Sequence, residues 1–244
     1  MKSPVILCLL LFAFGNQAYS QYSLNTARES ILLGTGGALS GAGILYLKEF
    51  PPLSEEDIQA YYTTPPEFRF KLDKWATKQS SKTAKTISDI CLTTSIIPPL
   101  LLAFDRPTAD DGRGTHTVMM LESFVLTWGA TGITKRIARR PRPFMYNDDL
   151  YHFPMALRRS ENGRQSFFSG HTSVTSAMYF FTAATFSEYY PDSDWKPWVW
   201  GASVSVPALT GFLRVKAGKH FPTDVIVGYA VGALIGGVLV PALH

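Results

Sequence analysis

PTDVIVGYAVGALIGGVLVPALH, residues 222–244, is the stretch on which the fold turns. Pro222 suits the first turn of a helix, where its missing N–H costs nothing, and Asp224 falls in that same turn. Gly228, Gly232 and Gly236 then recur every four residues and place a smooth stripe on one helix face. Such a stripe lets a second helix approach closely, in membranes especially, and it also relieves crowding in a soluble bundle. The reading is therefore helix packed on helix, in either setting.

Five further stretches are nearly free of charge: 30–47, 90–104, 123–134, 172–187 and 197–213. Their lengths lie between those of buried core helices and membrane spans. Alternating runs are few, and neither Asp111-Gly112 nor Asn162-Gly163 lies between two of them as a hairpin turn would, so strand signals are poor. The expected fold is all-α: a bundle of about six core helices, membrane-embedded, with His171 and His220 at one end. Residues 53–88 are polar and include FKLDKW, 70–75, which reads as an amphipathic helix plus a loop. Residues 1–20 read as a secretory signal peptide, with Lys2, an apolar run from Val5 to Phe14, and Ala18-Tyr19-Ser20 as the cleavage box. That leaves residues 21–244 as a single domain. Cys8 would leave with the leader, and Cys91 then reads as a buried apolar residue that can form no intrachain disulfide.

The formal charge is +4, unevenly spread: eight Lys or Arg against three Asp or Glu lie between Lys135 and Arg164. The run carries no nucleic-acid module, so an anionic substrate, or the surface that carries it, explains it better than DNA or RNA does.

Three clusters carry the chemistry: Lys135-x6-Arg142-Pro143, Ser169-Gly170-His171 and Arg214-x5-His220-x3-Asp224. Pro141 and Pro143 stop the helix that holds Lys135, leaving Arg142 on extended chain able to fold back. Arg142 and Arg214 grip phosphate oxygens as planar forks, and Lys135 acts as a point charge. Ser169 suits a helix cap, and Gly170 lets backbone N–H groups approach an anion at a helix start. His171 is the candidate general acid. His220 is the candidate nucleophile, with Asp224 placed to orient its other ring nitrogen. Two His and one Asp could ligate zinc, but three adjacent cations repel a dication, so the site calls for no metal and no cofactor. Arg136, Arg139 and Arg140 read as solvated charges or lipid-headgroup contacts, and His116, His152 and His244 match no motif.

The clusters, in the contexts GITKRIARRPRPF, SFFSGHTS and LRVKAGKHFPTDVIVG, resemble the signature of the type 2 phosphatidic acid phosphatase superfamily, which also contains bacterial acid phosphatases and vanadium haloperoxidases. Phe168 stands where that family usually has Pro, and Leu213 where it usually has Ser. The resemblance implies the same roles at Lys135, Arg142, Ser169, Gly170, His171, Arg214, His220 and Asp224, and a lipid-phosphatase-like member of the bacterial cell envelope. Implied substrates are phosphatidate-type lipids, undecaprenyl pyrophosphate and the phosphates of lipid A, cleaved through a phosphohistidine. A soluble periplasmic acid phosphatase, a vanadium haloperoxidase and a non-enzymatic protein that binds anionic lipid stay open. Membrane topology adds a condition. If the leader is removed and stretches 30–47, 90–104 and 117–134 all cross, Lys135 faces the cytoplasm, whereas the resemblance implies a site on the periplasmic face of the inner membrane.

Overall fold

The computed structural model describes residues 22–45, 51–63, 71–105 and 112–244. The expected leader, residues 1–20 with Cys8, lies outside the described residues, as does Phe70. Among the described residues the structure is all helical, as the charge-free stretches and weak strand signals predict. The main helices are α1 (Thr26–Leu45), α2 (Glu55–Thr63), α3 (Lys71–Ala76), α4 (Lys82–Thr94), α5 (Ile97–Ala103) and α6 (Arg113–Ala138). They are followed by α7 (Met155–Arg159), α8 (Gly170–Tyr189), α9 (Lys196–Lys216) and α10 (Pro222–Leu234). A π-turn over Ile235–Leu239 continues α10 into the short α11 (Val240–Leu243).

Local chemistry sets the boundaries. Ser81 caps α4 by accepting from the Ala84 amide at 3.2 Å, and Ser169 caps α8 through the Thr172 amide. Pro98 and Pro222 sit in the first turns of α5 and α10. The left-handed Arg139, at φ 45°, closes α6.

The glycine stripe of α10 and the π-turn that continues it packs on α8. A methyl group at Gly228, Gly232 or Gly236 would collide with the carbonyl oxygens of Ser169, Ser173 and Ala177 respectively, so no larger side chain fits that seam without moving a backbone. A second seam joins α1 to α6, which run parallel: Gly36 lies on Val125 and Gly43 on Gly132. Helix α8 runs opposite to α6 and parallel to α10. The Pro99 carbonyl and the Tyr189 hydroxyl both contact His116 near the start of α6, whereas Asp224 at the start of α10 accepts at its carbonyl from the Ser169 amide at the start of α8. One end of the bundle thus gathers the end of α6, the starts of α8 and α10, and the end of α9. Tyr22 and His244 lie at the other end, where the Ser23 amide donates to the His244 carbonyl.

Among the described residues, two segments, Lys82–Ala103 and Pro222–Leu243, are long and apolar enough to cross a membrane. Helix α9 also turns Trp198, Val204, Leu209 and Phe212 outward, more apolar surface than an isolated soluble helix usually leaves uncovered.

Candidate active site

The motif residues come together at the end where α6 finishes and α8 and α10 begin. Lys135 stands in the last turn of α6, and its Nζ lies 3.7 Å from where a Cβ on Gly170 would sit. A larger residue at 170 would crowd this ammonium group. Arg142 follows on extended chain, φ −80° and ψ 158°. Its amide donates to the Gly163 carbonyl at 2.8 Å, which fixes the segment while the guanidinium turns inward and is buried. Arg214 ends α9 with only 5 % of its surface exposed. The Nε groups of Arg142 and Arg214 are buried and donate to no protein acceptor. Such donors are costly unless an anion takes them.

Electrostatics report the same crowding. Burial, then the charges of Arg142 and Arg214, push the Lys135 ammonium down to about 7. Burial and Arg214 push Arg142 down to about 9. These cations destabilise one another, and a tetrahedral dianion bound between them adds an attraction to each that offsets the repulsion.

The histidines occupy different settings. His220 is buried, and its Nδ1 lies 2.7 Å from the Ser166 carbonyl. A carbonyl only accepts, so Nδ1 carries the hydrogen and Nε2 holds the lone pair. Burial, followed by Arg142, Lys135 and Arg214, holds this imidazole well below its usual range, so it stays neutral. His171, at the start of α8, places Nε2 2.8 Å from Asp89 Oδ1. Burial and Arg214 push it down to about 3, against the opposing pull of Asp89.

The structure corrects one geometric expectation. The ring nitrogen of His220 is oriented by the Ser166 carbonyl, and the Asp224 Oδ2 is farther away, at 3.7 Å. Asp224 is buried and accepts from the Ser166 hydroxyl and from the Phe221 amide at 2.8 Å. It therefore holds both neighbours of the imidazole, the segment that supplies the carbonyl and the start of α10, with its charge within reach of the ring.

Four contributors escape the sequence analysis. Asp89 on α4 accepts from His171 and, at 3.0 Å, from Arg214, joining two of the three clusters. Its signal was a single carboxylate standing directly before the apolar stretch 90–104. Arg140, expected to be solvated or at a lipid headgroup, instead bridges the buried Asp224 and Asp73. It also donates to the Thr223 hydroxyl at 2.8 Å. Lys219 lies over the rings of Phe144 and Phe153, and burial with Arg142 and Arg214 lowers it to about 8. The Ser166 carbonyl is a backbone atom, which no residue pattern reveals.

The arrangement can hold a phosphate-sized anion among three or four cations, offer a neutral imidazole nitrogen to it, and supply a second imidazole tied to a carboxylate. The carboxylates Asp73, Asp89 and Asp224 at this end are already paired with arginines, and Lys135, Arg142 and Arg214 beside them repel a dication.

Comparison with known proteins agrees with the motif reading. The family model described as PAP2 superfamily matches residues 116–244, more than half of the chain. Two curated proteins of Porphyromonas gingivalis are similar. The Lipid A 4'-phosphatase is 32% identical over 92 residues, which is 37% of this chain and 35% of that protein. The Lipid A 1-phosphatase is 30% identical over 110 residues, which is 45% of this chain and 23% of that protein. The matched part thus spans about a third of one relative and under a quarter of the other. No solved structure matches the chain.

Proposed function

Because the chain belongs to the PAP2 superfamily, we propose that it is a metal-independent lipid phosphatase that hydrolyses a phosphomonoester or pyrophosphate of an envelope lipid, of the lipid A type. The observation that carries this reading is the contact between His220 Nδ1 and the Ser166 carbonyl, from which the tautomer follows. Its Nδ1–H is committed to the Ser166 carbonyl at 2.7 Å, so Nε2 is a nucleophile without prior loss of a proton.

In this mechanism Lys135, Arg142 and Arg214 neutralise the phosphoryl oxygens, and the start of α8 at Ser169 and Gly170 adds backbone N–H groups. Nε2 of His220 attacks phosphorus as the bond to the leaving oxygen breaks, and His171 donates its proton to that oxygen. The products of this half are a phosphohistidine and the free lipid alcohol, or the lipid monophosphate if a pyrophosphate is cleaved. Water then attacks the phosphohistidine, with His171 taking its proton, to release inorganic phosphate and restore the neutral imidazole. Asp224 favours the positive charge that His220 develops in the first half. Substrate phosphate, by placing negative charge beside His171, raises its proton affinity at the moment it must serve as an acid.

The names of the two relatives support a lipid A phosphate as substrate, and the apolar surface beside the basic end supports a membrane setting. A site facing the periplasm puts the Tyr22 and His244 end in the cytoplasm, whereas a removed leader puts Tyr22 outside. Reporter fusions after residue 244 decide between these orientations.

The test is phosphate release by the purified protein from lipid A, undecaprenyl pyrophosphate, phosphatidate and p-nitrophenyl phosphate, with acid-labile phosphohistidine trapped on rapid quenching. His220→Ala is expected to abolish both release and trapping. Full turnover by that variant would defeat the mechanism, and turnover confined to the water-soluble ester would point to a soluble acid phosphatase instead. Halide oxidation on addition of vanadate would favour the haloperoxidase reading.

A further inference from the structure

At the end of the bundle opposite the candidate active site, Glu29 in the first turn of α1, Glu122 within α6 and His244 after α11 converge. One ligand atom from each lies within 4.8 Å of the others. Along α6, Glu122 and Lys135 are separated by about 20 Å of helix at 1.5 Å per residue, so this cluster is distinct from the phosphate-binding end.

Three features set the cluster apart from an ordinary acidic patch. First, the Glu122 side chain is fully buried, and neither of its oxygens accepts a hydrogen bond. A buried carboxylate left in that condition is expensive. Second, the His244 side chain is fully buried and its Nδ1 lies 3.0 Å from the Val240 carbonyl. The carbonyl fixes the hydrogen on Nδ1 and leaves Nε2 as the atom facing the carboxylates. That nitrogen also makes no hydrogen bond, although it lies 3.1 Å from Glu122 Oε2 and 3.3 Å from Glu29 Oε2. Third, Glu29 is fixed in place: the Asn25 amide donates to Oε1 at 2.6 Å, and Arg28 grips both oxygens, Nη2 on Oε1 at 2.9 Å and Nε on Oε2 at 3.1 Å. An imidazole whose far nitrogen is committed to a carbonyl, beside a carboxylate held by outer hydrogen bonds, is the usual surrounding of a metal ligand.

The spacing agrees. Ligand atoms each about 2.1 Å from a tetrahedral zinc ion stand about 3.4 Å apart, close to the 3.1 and 3.3 Å found here.

We propose that Glu29, Glu122 and His244 form a structural binding site for a divalent transition-metal ion, zinc by ligand type, which fastens the start of α1 and the residue after α11 to the middle of α6. One nitrogen and two carboxylate ligands leave a fourth position for water. The bound ion would couple chain segments far apart in sequence and so contribute to folding stability.

The experiment uses the untagged full chain in detergent, stripped with EDTA and then titrated with zinc chloride alone. Calorimetry and thermal unfolding are the readouts, and p-nitrophenyl phosphate hydrolysis is tried as a check on the fold. Expected are one zinc per chain by elemental analysis, a rise of several degrees in Tm on adding zinc, and a loss of affinity of 100-fold or more in Glu122→Gln and in His244→Ala. Glu122→Gln is nearly isosteric, and circular dichroism checks that it folds. The proposal is overturned if the unaltered chain takes up no zinc, or if both variants bind it as tightly. It is also overturned if Glu122→Gln raises the Tm in zinc-free buffer while zinc leaves the unaltered chain unchanged, since a proton shared between Glu122 and Glu29 then explains the cluster. The readouts are independent of catalysis, so failure of the phosphatase proposal would leave this one standing, and the reverse also holds.

Discussion

Replacing Asp89 by Asn removes one negative charge while keeping the shape of the side chain, and the result tests whether His171 is the general acid. Asp89 Oδ1 lies 2.8 Å from His171 Nε2 and 3.0 Å from Arg214. At an effective dielectric near 20, unit charges about 4 Å apart interact by about 4 kcal/mol. The Asp89 side chain is 37% exposed, so solvent screening reduces the usable part to about 1–2 kcal/mol. At about 1.4 kcal/mol per pKa unit, the imidazolium of His171 loses roughly one unit of proton affinity. The sign is downward, because the carboxylate favours the charged ring. A general acid must be protonated to act, so the alkaline limb of the kcat profile moves about one pH unit toward acid, and kcat at pH 7 falls about tenfold or more. The assay is phosphate release under saturating substrate from pH 4 to 9, with Asp89→Glu expected to recover part of the loss. A tenfold fall in kcat with the alkaline limb unmoved would refute the reasoning, since that pattern means Asp89 only holds the fold together.

Further perturbations have definite directions. Arg140→Ala leaves the buried Asp224 and Asp73 without their shared cation and should cost about 3 kcal/mol, seen as a lower midpoint in chemical or thermal unfolding. Gly232→Ala drives a methyl group against the Ser173 carbonyl and should destabilise by about 1–3 kcal/mol. Gly41→Ala has nothing within 4 Å to meet and should stabilise by up to about 1 kcal/mol through helix propensity; the two Tm shifts should have opposite signs. The depressed imidazoles predict acid sensitivity. The folded state resists protonating His220 and His171, the latter down to about 3, while the unfolded chain takes up protons near pH 6.5. Stability contributed by these groups is therefore complete above about pH 6.5 and is lost below it. The slope is about 1.4 kcal/mol per pH unit for each histidine, measured as unfolding free energy between pH 7 and 5. Inorganic phosphate should flatten that slope, because it favours the imidazolium forms.

Much of the architecture was legible because helix formation is local. Where the structure describes them, the six charge-free stretches fall almost wholly on helical segments, although Ser95 and Ile96 interrupt the one at 90–104. Pro141 and Pro143 end α6 and leave Arg142 extended, as their missing N–H groups require. The partner of the glycine stripe was not legible. That Gly228, Gly232 and Gly236 meet α8 depends on which helices lie side by side, and residue spacing within one helix carries no such information. Arg140 shows the same limit more sharply. Its neighbours in sequence are other basic residues and prolines, so it read as a solvated charge, yet its partners Asp73 and Asp224 lie 67 and 84 positions away.

The sequence by itself determined the helical class, the inventory of cations and imidazoles, and the family to which the chain belongs, because periodicity, proline placement and short motifs are written along the chain. Only the tertiary structure decided which atom orients His220, which carboxylate serves His171, and that a separate trio, Glu29, Glu122 and His244, comes together at the far end. Those outcomes rest on distances between segments separated by dozens of residues and on backbone carbonyls that every amino acid possesses. They come into being when the helices pack.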